Sequence, residues 1–405
     1  MSNFRNDICI IGGGGHIGLP LGVAFANAGL RVILLDINKE VLDKINLGVF
    51  PFKEENGDEN LQKALQSGNL KTSFDPSVIA DCETVITVIG TPIDEYLNPN
   101  FLGIEKTVNN YIEHFRDGQT FILRSTVYPG TSERIQKYFN EQKKDIGVAF
   151  CPERIVEGKA FEEFKNLPQI CSAFDDFILE KVKALFGKLT KKKVVIVKPI
   201  EAELAKLFSN TWRYITFAVA NQFFMIASDY NLDYSNIYRA MTEDYERMSD
   251  LPRPGFAAGP CLLKDTMQLS AFSHNNFFLG HSAMLVNEGL PAFIMKKIVE
   301  RYPDIQQKTI GILGMAFKAE NDDQRDSLSF KMRKTAKTMA KDVLCNDHYM
   351  DSDEFFELDH VLENSDIIIL STPHKLYDDI DHAKYTGKVF VDVWNKWGRG
   401  FIFEA

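Results

Sequence analysis

Short apolar runs alternate with amphipathic stretches along the first half of the chain. Ile8-Cys9-Ile10-Ile11-Gly12 reads as a buried strand, and residues 19–28 as the helix that follows it. Residues 31–36 form the next strand, and β-like runs recur at 84–89, 120–124, 147–151 and 193–197, with helical stretches between most of them. Uniformly apolar strands alternating with helices predict a parallel, doubly wound sheet, because only a strand covered on both faces is apolar throughout. From Glu201 the strand signal stops and long helices run to Arg301; the first, 201–230, contains no Gly or Pro. Pro199 lies where a helix start tolerates proline. A second α/β unit opens at 308–314, continues through a helix at 328–341 and adds strands at 343–346, 366–370 and 388–393. The expected architecture is α/β: an N-terminal Rossmann domain at 1–198, a central helical domain at 199–301 and a C-terminal Rossmann-like domain at 302–405.

Composition narrows the classes. A chain of 405 residues is too long for one ordinary core, which agrees with two or three domains. Its 45% hydrophobic and 25% charged residues are those of a globular protein. The formal net charge of −10 argues against a general nucleic-acid binder and provides no basic stripe for an anionic membrane. An anionic ligand must therefore be met by local Lys and Arg. The six cysteines (9, 82, 151, 171, 261 and 345) are scattered, without a CxxC pair or metal-ligand spacing, so no metal is expected. Cys9, Cys82, Cys151 and Cys171 sit in or beside apolar runs, as small buried hydrophobes do. The polar start Met1-Ser2-Asn3-Phe4-Arg5-Asn6-Asp7 is no signal peptide. No apolar run approaches the roughly 20 residues of a membrane span, so a cytoplasmic address is expected.

Gly13-x-Gly15-x-x-Gly18, with His16 and Ile17 between, follows one strand and opens a helix. In that context the first glycine permits a tight turn and the second lets backbone approach a pyrophosphate. The third lets the helix, whose N-terminal amides face the phosphates, pack closely on the strand. Asp36 closes the next strand, 18 residues beyond Gly18, where a carboxylate accepts the ribose hydroxyls and would repel a 2′-phosphate. The expected cofactor is NAD.

Far downstream, Gly259-Pro260-Cys261-Leu262-Leu263-Lys264-Asp265 ends a Gly/Ala-rich stretch and enters a helix. A cysteine at a helix N-terminus has its thiolate stabilised by the dipole and the terminal amides. Lys264 adds positive charge, and Asp265 projects from the same face four residues on. Interconverting an alcohol and a carbonyl needs no nucleophile. Oxidation through an aldehyde to a carboxylate can use a thiol, because the thiohemiacetal can surrender a second hydride. Lys206 and Asn210, one turn apart on the long helix with Asn221 further along that face, can hold an oxyanion or a water. Glu153 and Glu157 lie in the loop after the 147–151 strand, where acid/base groups are placed in such sheets, and Thr126 follows the 120–124 strand. Each has a plainer reading: a buried structural cysteine, a solvated helix face, a charged loop, a turn cap.

Taken in order, these motifs resemble the UDP-glucose/GDP-mannose dehydrogenase family over nearly the whole chain. The match includes Leu19-Pro20 after the glycines, Gly90-Thr91-Pro92, Ser125-Thr126-Val127, Pro152-Glu153, the Lys206/Asn210 pair and Gly-Pro-Cys-x-x-Lys-Asp. It closes on Phe317-Lys318-x-x-x-Asp322-Asp323-x-Arg325-x-Ser327. The resemblance implies an NAD domain, a helical middle whose long helix builds a homodimer, and a C-terminal domain for a UDP-sugar held between the two α/β domains. It implies four-electron oxidation of the sugar C6 alcohol with two NAD. Cys261 takes the nucleophile's position; Asp265 handles water and protons, and Lys206 and Asn210 stabilise oxyanions. Glu157 and Glu153 assist proton transfer and thioester hydrolysis, and Thr126 orients water or a glutamate. Gly13, Gly15, His16, Ile17, Gly18, Asp36, Thr91 and Thr126 contact NAD. Glu153, Lys206, Asn210, Lys264, Lys318, Arg325 and a dimer-crossing Arg247 contact substrate.

Departures bear on the sugar. Ala257, Ala258 and Leu263 stand where many members carry Gly, Gly and Pro, and Pro260 replaces a histidine frequent in the N-acetylhexosamine branch. Pro152-Glu153-Arg154 and the fourteen-residue interval from Arg247 to Cys261 resemble that same branch. The expected substrate is a UDP-N-acetylhexosamine, with UDP-glucose as the alternative. A two-electron hydroxyacid dehydrogenase would explain Lys206 and Asn210 but leave Cys261 idle. A non-catalytic paralogue binding NAD and a UDP-sugar would explain the alanines.

Overall fold

The computed structural model describes residues 4–91 and 103–405; Pro92 of the Gly90-Thr91-Pro92 motif and the first three residues lie outside them. Two compact units emerge, Met1–Ser209 and Asn210–Ala405.

The first unit is built on eight strands: β1 (Asn6–Ile11), β2 (Val32–Leu35), β3 (Leu70–Ser73), β4 (Cys82–Thr87), β5 (Thr120–Leu123), β6 (Gly147–Phe150), β7 (Gln169–Ala173) and β8 (Val194–Ile196). Their order is β3-β2-β1-β4-β5-β6-β7-β8. β1 to β6 run parallel, while β6 and β7 pair antiparallel, so the expected all-parallel sheet is a mixed one. The period of two along β1 explains its apolar run. Ile8 and Ile10 enter one core cluster with Leu34, Ile86 and Ile122; Cys9 and Ile11 enter another with Ile33, Val85 and Phe121. Both faces are therefore buried. The strand order reverses between β1 and β4, which puts a ligand crevice at the C-terminal ends of those strands.

A helix of 31 residues, Pro199–Asp229, starts in the first unit and ends in the second. Helices Tyr234–Thr242, Leu262–Phe272 and Phe278–Arg301 follow. The second unit closes on β9 (Thr309–Leu313), β10 (Asp342–Asn346), β11 (Ile367–Leu370), β12 (Val389–Val391) and β13 (Ile402–Glu404), in the order β10-β9-β11-β12-β13. Only β13 is antiparallel to its neighbour. The helix expected at 328–341 stops at Lys337. No helix among the described residues is long and apolar enough to cross a membrane.

Candidate active site

The turn after β1 corrects one detail of the glycine reading. Gly12, not Gly13, carries the left-handed backbone (φ 84°). Gly13 is needed for closeness instead: a Cβ there would lie 2.7 Å from the Leu34 Cα on β2. At Gly18 a Cβ would collide with the Gly12 carbonyl, so the helix Gly18–Asn27 can dock on the turn only through glycine. Gly15 is exposed, and the helix has no side-chain cap at Ile17. Asp36 accepts from the Gly14 amide (2.9 Å) through Oδ2 and from the Asn38 amide (3.0 Å) through Oδ1. His16 stacks on Phe52 at 4.0 Å. An uncapped helix N-terminus, a glycine turn no side chain fills and a carboxylate at the end of β2 fit a dinucleotide. Gly13, Gly15, Gly18 and Asp36 would hold it.

Two loops at the C-terminal ends of β4 and β5 are stitched together. The Thr91 hydroxyl donates to the Thr126 carbonyl (2.6 Å), and the Ser125 hydroxyl to the Ile89 carbonyl (2.6 Å). Beyond them, helix Thr131–Glu141 starts at Gly130 with no side-chain cap of its own. Glu203, buried on the second turn of the long helix, supplies one. Its carboxylate accepts from the Gly130 amide (2.6 Å), the Ser132 amide (2.9 Å) and the Ser132 hydroxyl (2.5 Å). Burial raises its pKa above the ordinary value, and these bonds offset that only in part. Half-buried Lys206 follows one turn later.

After β6, Glu153 is buried and committed. It pairs with Arg124, itself fully buried, and its other oxygen accepts from the Arg154 (2.7 Å) and Ile155 (3.0 Å) amides. That carboxylate shapes the loop on which half-buried Glu157 stands.

In the second unit Cys261 occupies the N-cap position of helix Leu262–Phe272, as its sequence position predicts, and it is exposed. The other five cysteines are buried, and none of the six forms a disulfide. Burial lifts Cys151 well above the ordinary thiol value and Cys345 to about 11, so these thiols stay protonated. The Cys261 carbonyl accepts from the Asp265 amide (2.9 Å). Asp265 is fully buried: Asn210 Nδ2 donates to its Oδ2 at 2.5 Å, and Lys264 Nζ lies 2.6 Å from Oδ1. The Lys264 contact has ion-pair distance but poor hydrogen-bond geometry, so it acts through charge. Thus Asn210, Lys264, Asp265 and the Cys261 backbone form one cluster.

Asn221 does other work than its helix face suggested. It is completely buried, donates to the Gly255 carbonyl (3.0 Å) and Asn287 Oδ1 (2.9 Å), and accepts from the Gly255 amide (2.8 Å). Gly255 packs so tightly on Trp394 that no side chain fits, and a Cβ on Gly259 (φ 102°) would meet the Phe317 ring at 2.5 Å. The loop leading to the thiol is thereby fixed at both ends.

Lys318 and Arg325 lie on the loop after β9; Arg325 is tied to Asp323, and Lys318 Nζ sits 5.7 Å from the Phe317 ring centre. Arg247 is exposed on the turn Glu246–Met248, with no hydrogen bond or ion pair to any described residue. A cavity of about 600 Å³ in the second unit, walled partly by Tyr234, Tyr238 and Trp394, contains none of the candidate residues. Among the described residues no three His, Cys, Asp or Glu side chains converge on a metal position. Sequence reasoning missed Gly12, Arg124, Glu203, Asp347 and His374. An arginine ending an apolar strand and a glutamate between Ala202 and Leu204 were the only local signals.

Residues 6–190 match the NAD binding domain of the UDP-glucose/GDP-mannose dehydrogenase family, 200–288 its central domain and 311–399 its UDP binding domain. The chain is 28% identical to the UDP-N-acetyl-D-mannosamine dehydrogenase of Pyrococcus horikoshii, over 96% of this chain and 94% of that one. It is 28% identical to the protein of that name from Methanocaldococcus jannaschii, over 96% and 92%. The solved UDP-D-ManNAc dehydrogenase of Pyrococcus horikoshii superposes with a TM-score of 0.89 at 27% identity, covering 96% of each chain. A UDP-glucose dehydrogenase from Pyrobaculum islandicum shares the fold (TM-score 0.87, 24% identity, 96% of this chain and 94% of that one).

Proposed function

The chain belongs to the UDP-glucose/GDP-mannose dehydrogenase family and is an NAD-dependent UDP-sugar 6-dehydrogenase; we propose that it oxidises a UDP-N-acetylhexosamine at C6 to the uronate, through a covalent intermediate on Cys261. One observation carries this reading: exposed Cys261 occupies the N-cap position of a helix whose first turn carries Lys264 and the buried Asp265, to which Asn210 of the long helix donates. The curated relatives named for UDP-N-acetyl-D-mannosamine support the sugar. Pro260 is the observation that favours UDP-glucose instead. The three functional segments are read as 1–198, 199–301 and 302–405, supported by the three matched stretches.

NAD, held at Gly13, Gly15, Gly18 and Asp36 with His16, Ile17, Thr91 and Thr126 beside it, supplies the hydride acceptor for both oxidations. Asp265 and Lys206 hold the water that receives the C6 hydroxyl proton as the first hydride leaves C6, giving the aldehyde. The Cys261 sulfur then adds to the aldehyde carbon, and Lys206 and Asn210 stabilise the oxygen that becomes negative. Loss of a second hydride from that thiohemiacetal leaves a thioester. Glu157 takes a proton from the attacking water, with Glu153 and Thr126 fixing the loops around it, and the carbon–sulfur bond breaks to release carboxylate and thiol. Lys318 and Arg325 meet the diphosphate, and Lys264 and a partner's Arg247 contact the substrate. The long helix is read as the homodimer face, because Trp212, Val219, Phe223 and Ile226 are exposed along it. A single species of monomer mass in sedimentation would contradict that. Six thiols without a disulfide fit a reducing cytoplasm.

The test is NADH stoichiometry. Limiting UDP-N-acetylmannosamine, UDP-N-acetylglucosamine or UDP-glucose is run to completion with excess NAD. Two NADH per sugar are expected with an N-acetylhexosamine; one NADH would overturn the second oxidation. Cys261→Ser is expected to yield no free uronate at the wild-type rate, and normal uronate output from it would refute the covalent scheme.

A further inference from the structure

The loop after β9 is gripped from both sides of Lys318 by one buried pair. Asp347, at the end of β10, accepts the Met315 (2.6 Å) and Ala316 (2.9 Å) amides with a single oxygen, Oδ2. That same oxygen lies 3.2 Å from His374 Nε2. The other ring nitrogen, Nδ1, accepts the Glu320 amide at 3.0 Å. Lys318 thus stands between two anchored stretches, 315–316 and Glu320, joined through the carboxylate and the imidazole. Because Nδ1 accepts, the proton of the neutral ring must reside on Nε2, facing Asp347. Both side chains are wholly buried, and His374 packs edge-on to Tyr349 (5.0 Å) and Tyr377 (5.7 Å). Burial alone would raise the Asp347 carboxyl, yet His374 and the Tyr349 and Met315 amides hold it below its ordinary value.

Glu320 needs such an anchor. Its backbone is left-handed (φ 57°), a conformation a non-glycine residue keeps only when its surroundings impose it. Its side chain is also held, by the Tyr349 hydroxyl (2.8 Å) and the Lys375 amide (2.8 Å).

We propose that His374 is a positioning residue for nucleotide-sugar binding: as the Nε2–H tautomer bridging Asp347 and the Glu320 amide, it fixes the turn from which Lys318 reaches the substrate diphosphate. The inference rests on the proposed role of Lys318, a residue His374 does not touch in any hydrogen bond described above. It assigns His374 to substrate affinity and leaves the NAD site of the first unit untouched.

Two substitutions separate the two hydrogen bonds. His374→Asn keeps an acceptor near the Nδ1 position, whereas His374→Gln keeps a group only near Nε2. Steady-state kinetics on the full-length enzyme should give His374→Gln a KM for the UDP-sugar about tenfold higher, the size of one buried hydrogen bond. Its KM for NAD and its kcat should stay within about twofold of wild type, and His374→Asn should recover most of the lost affinity. Tyr349→Phe, which removes only the hydroxyl grip on Glu320, should raise the same KM more mildly and keeps the test alive if a histidine variant misfolds. Equal effects of Asn and Gln, or parallel rises in both KM values, would overturn the proposal. Lys318→Ala is measured alongside. If it leaves the sugar KM unchanged, the role of Lys318 fails; if it raises KM while both His374→Gln and Tyr349→Phe do not, the positioning role fails.

Discussion

Glu203→Ala tests whether a carboxylate on the long helix holds the start of helix Thr131–Glu141. The glutamate is 1% exposed and accepts three hydrogen bonds, two from amides that the helix cannot satisfy itself. Loss of an N-cap costs about 0.5–2 kcal/mol, and each buried donor left without an acceptor adds about 1–3 kcal/mol. Against this, removing the ionised group relieves a desolvation penalty, which the upward pKa shift records. A net loss of about 3 kcal/mol follows for Ala, and a smaller one for Glu203→Gln, which keeps one acceptor oxygen. Hydrogen–deuterium exchange on a peptide covering residues 128–136 of the intact enzyme reads this locally, where global unfolding of a multidomain chain would not. Exchange about a hundredfold faster is expected in the Ala variant. The pH dependence has a definite sign. Because the folded pKa lies above the ordinary 4.5, the stability from this group is fully present below that value and is lost as pH rises through the folded pKa. The wild-type advantage over Glu203→Gln should therefore shrink from acidic to neutral pH. Unchanged protection at residues 130–132 in Glu203→Ala, or an advantage that grows with pH, would refute the reasoning.

Two further outcomes follow. Asp36→Ala should raise the KM for NAD by about tenfold and narrow the preference over NADP, since a carboxylate both accepts ribose hydroxyls and repels a 2′-phosphate; an unaltered ratio of kcat/KM for the two cofactors would exclude that role. Asn221→Leu strips partners from both polar groups of Gly255 and from Asn287. It should cost about 3 kcal/mol and change the rate at which Cys261 is alkylated, whereas an unchanged labelling rate would separate the clamp from the thiol loop.

What the sequence made legible was what repeats locally. The glycine turn and Asp36 announced themselves because a close approach tolerates only glycine, and the long helix because thirty residues run without Gly or Pro. Three strands escaped notice: β3, β7 and the three-residue β13. β3 (Leu-Lys-Thr-Ser) is polar at three of its four positions, and β7 (Gln-Ile-Cys-Ser-Ala) lacks the unbroken apolar run of its neighbours. Only pairing with β2 and β6 makes them strands, a tertiary effect that overrides weak local preference. The same holds at the site. Cys261 could be picked out by its Gly-Pro setting before a helix, but Asp347 and His374 are 27 residues apart and Glu203 is 71 from Ser132. Long-range hydrogen bonds leave no spacing in the chain to read. Asn221 shows the converse error: its helical register with Lys206 and Asn210 is real, yet the register does not say whether a side chain faces a ligand or a neighbouring loop.

The burial of five cysteines and exposure of the sixth has a practical consequence. A maleimide dye added to the unmodified protein has one accessible target, and in the proposed chemistry that target is the atom that attacks the substrate. The enzyme thus carries its own occupancy reporter. Protection of the label by a sugar nucleotide would measure binding without turnover, and candidate ligands could be ranked in a plate reader before any product is identified.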